Sequence, residues 1–189
     1  VLEHPEWIPD DVEQKLKLRS GSDRGRLYRV YPTKKTPRAI PKLSNKTKPE
    51  LVAALDSSNG WQRDTAQQIL VNQNDQSTVT HLEELLRETK NPKALLHALY
   101  ALDGINKIRP NHLIIGLTNS HPGVREHAIR LSENLFKKNE VDPIEEALNQ
   151  LVKDSNLRVR TQIAFSLGEW KSPTAGKLLV KLARDCSAA

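Results

Sequence analysis

Three arginines recur at corresponding points of the sequence, each shortly after a polar turn. They are Arg63, Arg125 and Arg160, and Leu95 takes the corresponding place between the first two. A planar guanidinium makes paired hydrogen bonds to carboxylates and phosphates, so these arginines either grip an acidic partner or bond a nearby turn. Their regular recurrence favours the second role. The acidic residues placed to accept such bonds are Asp56, Asp64 and Asp154.

The basic residues are concentrated near the N-terminus. Residues 14–48 hold twelve lysines and arginines but one acidic residue, whereas residues 49–189 hold 17 of each sign. Cationic side chains neutralise phosphates and tyrosines stack on bases, so a basic nucleic-acid-binding protein is the alternative function. The sequence nevertheless favours a protein partner over nucleic acid. The candidate anion contacts are Arg26, Arg29, Lys34 and Lys35.

No set of side chains predicts catalysis or metal binding. Cys186 is the only cysteine, which excludes a Cys-x-x-Cys zinc site and a haem attachment within these residues. His97 and His127 occupy similar positions in neighbouring segments, but no third ligand at helical spacing completes a site. The chain also lacks an apolar run of about 18 residues, so we predict no membrane-spanning helix. We predict no catalytic, metal-ligating or cofactor-binding residue, and no cofactor, in this chain.

The elements that carry the arginines form a repeating pattern. From residue 49 onward the apolar residues have a helical period, and prolines at 49, 110, 143 and 173 each precede such a pattern. The five first helices are predicted at residues 49–56, 77–88, 110–119, 143–153 and 173–185, with a second helix in each interval. A pair of amphipathic helices cannot bury its apolar face alone. We therefore predict an all-α fold, an α-α solenoid of about four and a half repeats.

The N-terminal part of the chain differs in its residue pattern from the helical part that follows. Residues 25–31 alternate apolar and basic side chains after a turn, which is typical of a short strand. Residues 32–48 are rich in proline, lysine and threonine and are predicted to form an extended linker. The predicted organisation is therefore a short β segment over residues 1–31, a basic linker over 32–48 and a helical-repeat domain over 49–189.

Aromatic and apolar residues are candidates either for a contact surface or for the core. Trp61 is a candidate interaction residue, but its spacing, like that of Trp170, favours packing inside the repeats. The final helix has an apolar stripe with no following helix to cover it, so we predict self-association through residues 173–185. The stripe residues are Leu178, Leu179, Leu182 and Ala183.

Two short sequence motifs resemble those of a known family. His121-Pro122-Gly123-Val124-Arg125 and Leu157-Arg158-Val159-Arg160 resemble the start of the second helix in HEAT repeats. The resemblance covers residues 49–185, and it departs from the HEAT pattern at Leu95. It implies a HEAT-like solenoid whose concave second-helix surface contacts other proteins.

Three longer sequence segments show a more specific resemblance. Residues 59–70, 96–104 and 121–128 are similar to the HEAT-repeat region of large planctomycete-type membrane-bound dehydrogenases. Those proteins combine a sorbosone or glucose dehydrogenase-like β-propeller, HEAT repeats and a c-type haem domain, and residues 3–9 and 23–30 look like the end of such a propeller. The resemblance implies that this chain is a non-catalytic piece of a larger oxidoreductase, exported to the periplasm, with haem c elsewhere in that protein.

Overall fold

The computed structural model describes residues 5–18, 23–25, 30–37, 39–138 and 141–187, and these residues form ten α-helices and no strand. The all-α prediction is therefore confirmed. The centre of the predicted strand, residues 26–29, lies outside the described residues, and Gly25, Val30 and Tyr31 beside it are not in a strand. The chain divides into two compact units, Val1–Pro41 and Lys42–Ala189.

The first unit contains only short helical turns among its described residues. A 3-10 turn spans Pro5–Trp7 and helix α1 spans Asp10–Glu13. Proline at position 9 lacks a donor but its carbonyl is free to accept, and the backbone N–H groups of Val12 and Glu13 donate to it at 2.9 and 3.0 Å. Residues 5–7, within the segment that resembles a propeller strand in sequence, therefore form a 3-10 turn and not a strand.

The second unit consists of alternating helices in the predicted order. The first helices of the repeats are α2 (Lys48–Ala54), α4 (Val79–Glu88), α6 (Pro110–Leu117), α8 (Asp142–Leu151) and α10 (Pro173–Ser187). The second helices are α3 (Gly60–Gln73), α5 (Pro92–Gly104), α7 (Pro122–Lys138) and α9 (Leu157–Glu169). Short 3-10 turns at Leu43–Asn45 and Gln76–Thr78 precede α2 and α4. The solenoid prediction is confirmed.

Local sequence explains where these helices begin. Asn59, Asn91 and Asn156 precede α3, α5 and α9, and each side chain accepts a hydrogen bond at 3.0 Å from the backbone N–H two residues later. This arrangement satisfies a donor that the helix itself leaves unpaired. Helix α2 instead begins with a capping box, in which the Glu50 carboxylate accepts from the backbone N–H of Thr47 at 2.9 Å.

The helices form two layers around one continuous apolar core. At each of the first three junctions between repeats, successive second helices contact each other more extensively than successive first helices do. The second helices therefore form the more closely packed layer, called the inner layer below, and the first helices form the outer layer. Leu43, which the sequence assigned to the linker, is 5% exposed and packs into this core. The helical unit therefore includes the 3-10 turn before α2.

Gly116 in α6 lies at a close approach between helices. An added methyl group there would lie 2.7 Å from Cβ of Ala128 in α7 and 3.1 Å from Cδ1 of Leu99 in α5. We expect Gly116→Ala to destabilise the protein by about 1–3 kcal/mol through overpacking, against the gain of about 1 kcal/mol from alanine's helix propensity. Urea unfolding measures this. Gly176→Ala in α10, where an added methyl meets nothing within 4 Å, is the control and should stabilise the protein; two equal shifts would contradict the close approach.

Candidate interaction surface

The four turns between a first and a second helix share one hydrogen-bond pattern. In each turn a side-chain oxygen accepts from the backbone N–H two residues later, at 2.8–3.2 Å. Such local bonds are what favour Ser, Thr, Asn and Asp in turns. The accepting residues are Ser57, Thr89, Asn119 and Asp154. The chain reverses direction in the same way in every repeat.

The recurring arginines bond these same turns. In each case Nη1 donates to the carbonyl oxygen six residues earlier: Arg63 to Ser57 at 2.7 Å, Arg125 to Asn119 at 2.8 Å and Arg160 to Asp154 at 2.7 Å. Each guanidinium therefore pairs a carbonyl oxygen that its own helix cannot reach. The three arginines occupy equivalent structural positions in the repeats. All three are partly buried and do not extend into solvent.

Arg125 makes a second set of bonds, to the next repeat. Its Nε and Nη2 donate to the two carboxylate oxygens of Asp154 at 2.6 and 2.8 Å, and the two side chains are only 14% and 6% exposed. Burial alone would raise the pKa of Asp154, but hydrogen bonds from Arg125 and from the backbone of Asn156 outweigh it and lower that pKa below its ordinary value. This buried pair ties the third and fourth repeats together.

The second repeat lacks this arrangement. Leu95 is buried where the other repeats have arginine, and it lines a cleft of 330 Å³ between its own turn and the next one. Asp56 bonds the turn of the second repeat instead, accepting from Nδ2 of Asn91 at 2.6 Å. The arginine ladder is therefore interrupted at the second repeat, as the departure from the HEAT pattern in sequence predicts.

The two helix histidines pair with different neighbours. His97 Nδ1 lies 2.6 Å from Oε1 of Gln67, and His127 Nδ1 lies 2.8 Å from the Tyr100 hydroxyl. Burial lowers the pKa of His97, partly offset by the charge of Asp64. Within the described part of the chain, no three histidine, cysteine, aspartate or glutamate side chains are grouped so as to hold a metal ion.

Further polar contacts join the second helices across the repeats. Glu126 in α7 pairs with Arg158 in α9 at 3.1 Å. Glu133 Oε1 accepts from the Ser166 hydroxyl at 2.6 Å. The Asp103 carboxylate accepts from Nδ2 of Asn134 at 2.9 Å. These bonds connect α5 to α7 and α7 to α9, so the inner layer is held by polar contacts as well as by its core.

The inner layer also exposes large apolar side chains. Trp61, Leu157 and Phe165 all lie on second helices and are 56%, 66% and 71% exposed. Tyr100, on the second helix α5, is partly buried. The expectation that Trp61 packs inside the repeats is wrong, because Trp61, in the first turn of α3, has more than half of its surface exposed. Trp170 does pack: it is 6% exposed and stacks on Phe136 with ring centroids 5.3 Å apart.

The end of the solenoid differs from the sequence expectation. Leu178 and Leu182 of α10 are 6% and 7% exposed and belong to the core. They were expected to need a following helix, but the preceding helices already cover them, because α10 packs directly on α9. Val180, also on α10, is 53% exposed. The apolar stripe is therefore covered at these two positions, and self-association through residues 173–185 stays a prediction.

The candidate anion contacts lie in the first unit. Lys34 and Lys35 are exposed in a turn, where the backbone N–H of Lys35 donates to the carbonyl oxygen of Pro32 at 2.9 Å. Arg26 and Arg29 lie outside the described residues.

The helix pairs, their common turn and their single continuous core define an α-solenoid built from two-helix repeats. A sequence model of HEAT repeats matches residues 110–189, so this part of the chain is similar to HEAT repeats. Among the described residues, no helix is both long and apolar enough to cross a lipid bilayer.

Solved structures with a similar shape include two engineered proteins crystallised by the Northeast Structural Genomics Consortium. One is 19% identical with a TM-score of 0.48, over 73% of this chain and 70% of that one. The other is 19% identical with a TM-score of 0.43, over 72% of this chain and 68% of that one. No curated protein matches the chain.

Sequence reasoning did not single out Tyr100 or Phe165 as surface residues. Both lie five positions after the arginine position of their repeat, as do Gln68 and Arg130 in the other two. These four residues form one row on the second helices, and their common register is the signal from which that row was predictable. We refer to the exposed side of α3, α5, α7 and α9 as the second-helix face.

Proposed function

We propose that this chain is a non-catalytic helical-repeat module that binds and spaces other protein parts through its second-helix face. The observation that carries the proposal is the location of the exposed apolar residues. Trp61, Leu157 and Phe165 lie on second helices, where burial in a contact would gain free energy in proportion to the apolar area covered. The arginines with candidate binding roles are instead engaged by the turns.

The wider setting of the module is part of the same proposal. The similarity of residues 59–70, 96–104 and 121–128 to planctomycete-type dehydrogenases supports a place within an exported, periplasmic oxidoreductase. In that setting the solenoid separates a substrate-oxidising propeller from a c-type haem domain. Such a role requires stiffness and a contact surface but no chemistry from the solenoid, and haem c would lie elsewhere in the larger protein.

Site-specific photocrosslinking in the source organism tests both parts. We expect p-benzoylphenylalanine at position 165 to crosslink to another polypeptide segment, because Phe165 is 71% exposed on the second-helix face. The control is the same residue at position 146, an exposed site on α8 in the outer layer of the same repeat. Mass spectrometry identifies the crosslinked segment. Haem staining of the denatured product reports attached c-type haem, since that haem is held covalently.

Two results would contradict the proposal. Equal crosslinking from positions 146 and 165, or none from 165, would show that the second-helix face is not the contact surface. A product without haem, joined to a protein unrelated to oxidoreductases, would leave the interaction module and overturn its redox setting.

A further inference from the structure

The residue eight positions after the arginine position contacts the following second helix at each of the three junctions from α3 to α9. An added methyl group on Gly104 of α5 would lie 2.7 Å from Cγ2 of Val71 of α3, and the two later junctions have a hydrogen bond at this place. The three contacts are Val71 with Gly104, Asp103 with Asn134, and Glu133 with Ser166.

The residues one and five positions after the arginine position also reach toward the following helix. One position after it, Asp64 of α3 lies 3.7 Å from His97 of α5. Five positions after it, the Tyr100 hydroxyl of α5 lies 2.8 Å from Nδ1 of His127 of α7. These three register positions define one side of each second helix, which we call its forward face.

The same contacts give the direction of the helices. Between α7 and α9, Glu126 pairs with Arg158 and Glu133 accepts from Ser166, so residues that come later in one helix meet residues that come later in the other. Successive second helices therefore lie parallel to each other.

The forward face of α9 is open. Its three register positions are Thr161, Phe165 and Gly168, and all three residues are exposed, Phe165 by 71%. An added methyl group on Gly168 would meet nothing within 4 Å. Helix α10 packs on α9 as the first helix of the next repeat, and among the described residues no second helix follows it. The surface that a helix covers in each earlier repeat is uncovered here.

This open face also differs in chemistry from the earlier forward faces, each of which carries a carboxylate. Leu157, which is 66% exposed, shares a stripe with Thr161 and Phe165 at intervals of four residues. The Thr161 hydroxyl donates to the carbonyl oxygen of Leu157 at 2.9 Å, so its hydrogen is satisfied within the helix. Leu157, Thr161, Phe165 and Gly168 carry no charge. Covering them with apolar side chains gains free energy, whereas a charged group buried there would lose its water without finding an opposite charge.

We infer that the forward face of α9 binds an amphipathic α-helix of a partner protein, which lies parallel to α9 as α9 lies beside α7. The inference rests on the proposed function, because it names the kind of partner that the same surface accepts. The occupant is a helix because a parallel helix covers this face at every earlier junction that the structure describes. Its contact stripe is apolar because the α9 face is uncharged, and Gly168, which has no side chain, leaves room for a bulky residue of the partner.

Fluorescence anisotropy with the full chain and labelled synthetic peptides tests the inference. The matched peptide is an eighteen-residue alanine, glutamate and lysine helix with leucine at positions 3, 7, 10 and 14, which share one helix face. The control peptide has the same composition, with its four leucines distributed around the helix. We expect the matched peptide to bind at least about tenfold more tightly than the control.

Matched variants of the protein locate the binding surface. Phe165→Glu should weaken binding of the matched peptide about tenfold, and Thr161→Glu, one turn earlier, should act in the same direction. Trp61→Glu makes the same change of charge at an exposed aromatic residue on α3, and it should leave binding unchanged. Circular dichroism checks that each variant is folded.

Photocrosslinking with the same peptide tests the direction of the bound helix. Benzoylphenylalanine at position 157, in the first turn of α9, should crosslink to the N-terminal half of the peptide, and at position 165 to its C-terminal half. The reverse order would show an antiparallel helix and contradict the inference.

Other results would overturn the inference as well. Equal affinity for the two peptides, or equal weakening by Phe165→Glu and Trp61→Glu, would show that α9 does not select an apolar helix face. A dimer of the native chain that Phe165→Glu converts to a monomer in light scattering would place a second copy on α9 instead of a partner protein. Crosslinking from position 165 in the source organism without binding of the matched peptide would overturn the helical partner and leave the proposed function in place. Peptide binding without that crosslinking would overturn the proposed function.

Discussion

Replacing Arg125 with leucine is expected to lower the free energy of unfolding by about 3 kcal/mol, because it leaves a buried carboxylate without its partner. In the native protein the guanidinium binds both oxygens of Asp154, whose side chain is 6% exposed, and also the carbonyl oxygens of Asn119 and Ser120. Leucine supplies none of these donors. Urea unfolding followed by circular dichroism measures the change.

The second repeat suggests the decisive control. There Leu95 stands at the arginine position, and the next turn has Asn119 where the fourth repeat has Asp154. Arg125→Leu combined with Asp154→Asn reproduces that neutral junction, so the double variant should recover at least about 1 kcal/mol of the loss. A double variant less stable than the single one would show that the buried charge is not the cause.

A surface pair gives the scale for comparison. Arg158 also bonds an acidic residue of the neighbouring repeat, Glu126, but its side chain is 78% exposed. Arg158→Leu should therefore cost less than about 1 kcal/mol, because water screens the pair and the freed carboxylate is rehydrated. Equal losses in the two single variants would indicate that burial does not distinguish these ion pairs.

The same interaction depends on pH in a defined direction. The pKa of Asp154 is lower in the folded protein than in the unfolded chain, so the unfolded state binds more protons in the acidic range. Its contribution to stability is complete above the ordinary aspartate pKa of about 4 and is lost as the pH falls toward the folded value. The stability gap between the native protein and the double variant should shrink over that range.

The sequence predicts the helices well because two independent signals agree. The apolar period places each stripe, and prolines such as Pro110 and Pro173 mark first turns, where no donor is needed. The turn arginines were likewise recognisable from register alone. These features depend on residues that are close together in the sequence, so the sequence alone is enough to predict them.

The surface was harder to predict because it depends on lateral packing. Trp61 and Trp170 both have helical spacing to apolar neighbours, yet Trp61 is 56% exposed and Trp170 is 6% exposed. The difference arises from which part of each helix meets the next repeat, which spacing within one helix does not specify. For the same reason Leu178 and Leu182 were expected to be uncovered, although α9 already packs against them.

The register that places Tyr100 and Phe165 on one row identifies a surface row only when the exposed fractions of the two side chains are known. An aromatic residue at helical spacing ordinarily belongs to a core, and nothing in the sequence separates Phe165, 71% exposed, from Phe136, 5% exposed.

Leu131→Ala should cost about 2–5 kcal/mol, because Leu131 is 5% exposed in α7 between the third and fourth repeats. The loss combines the transfer free energy of the removed groups with the cavity they leave, and the fixed positions of Ala128 and Leu135 on the same stripe limit collapse.

The control for this prediction is the same substitution at an exposed site. Leu157→Ala on α9, where the side chain is 66% exposed, should change the stability by no more than about 0.5 kcal/mol. A solenoid transmits the loss to its neighbours, because each repeat is stable only through the interfaces it shares. Equal urea midpoints for the two variants would show that α7 does not form the buried interface on which both the fold and the proposed contact surface depend.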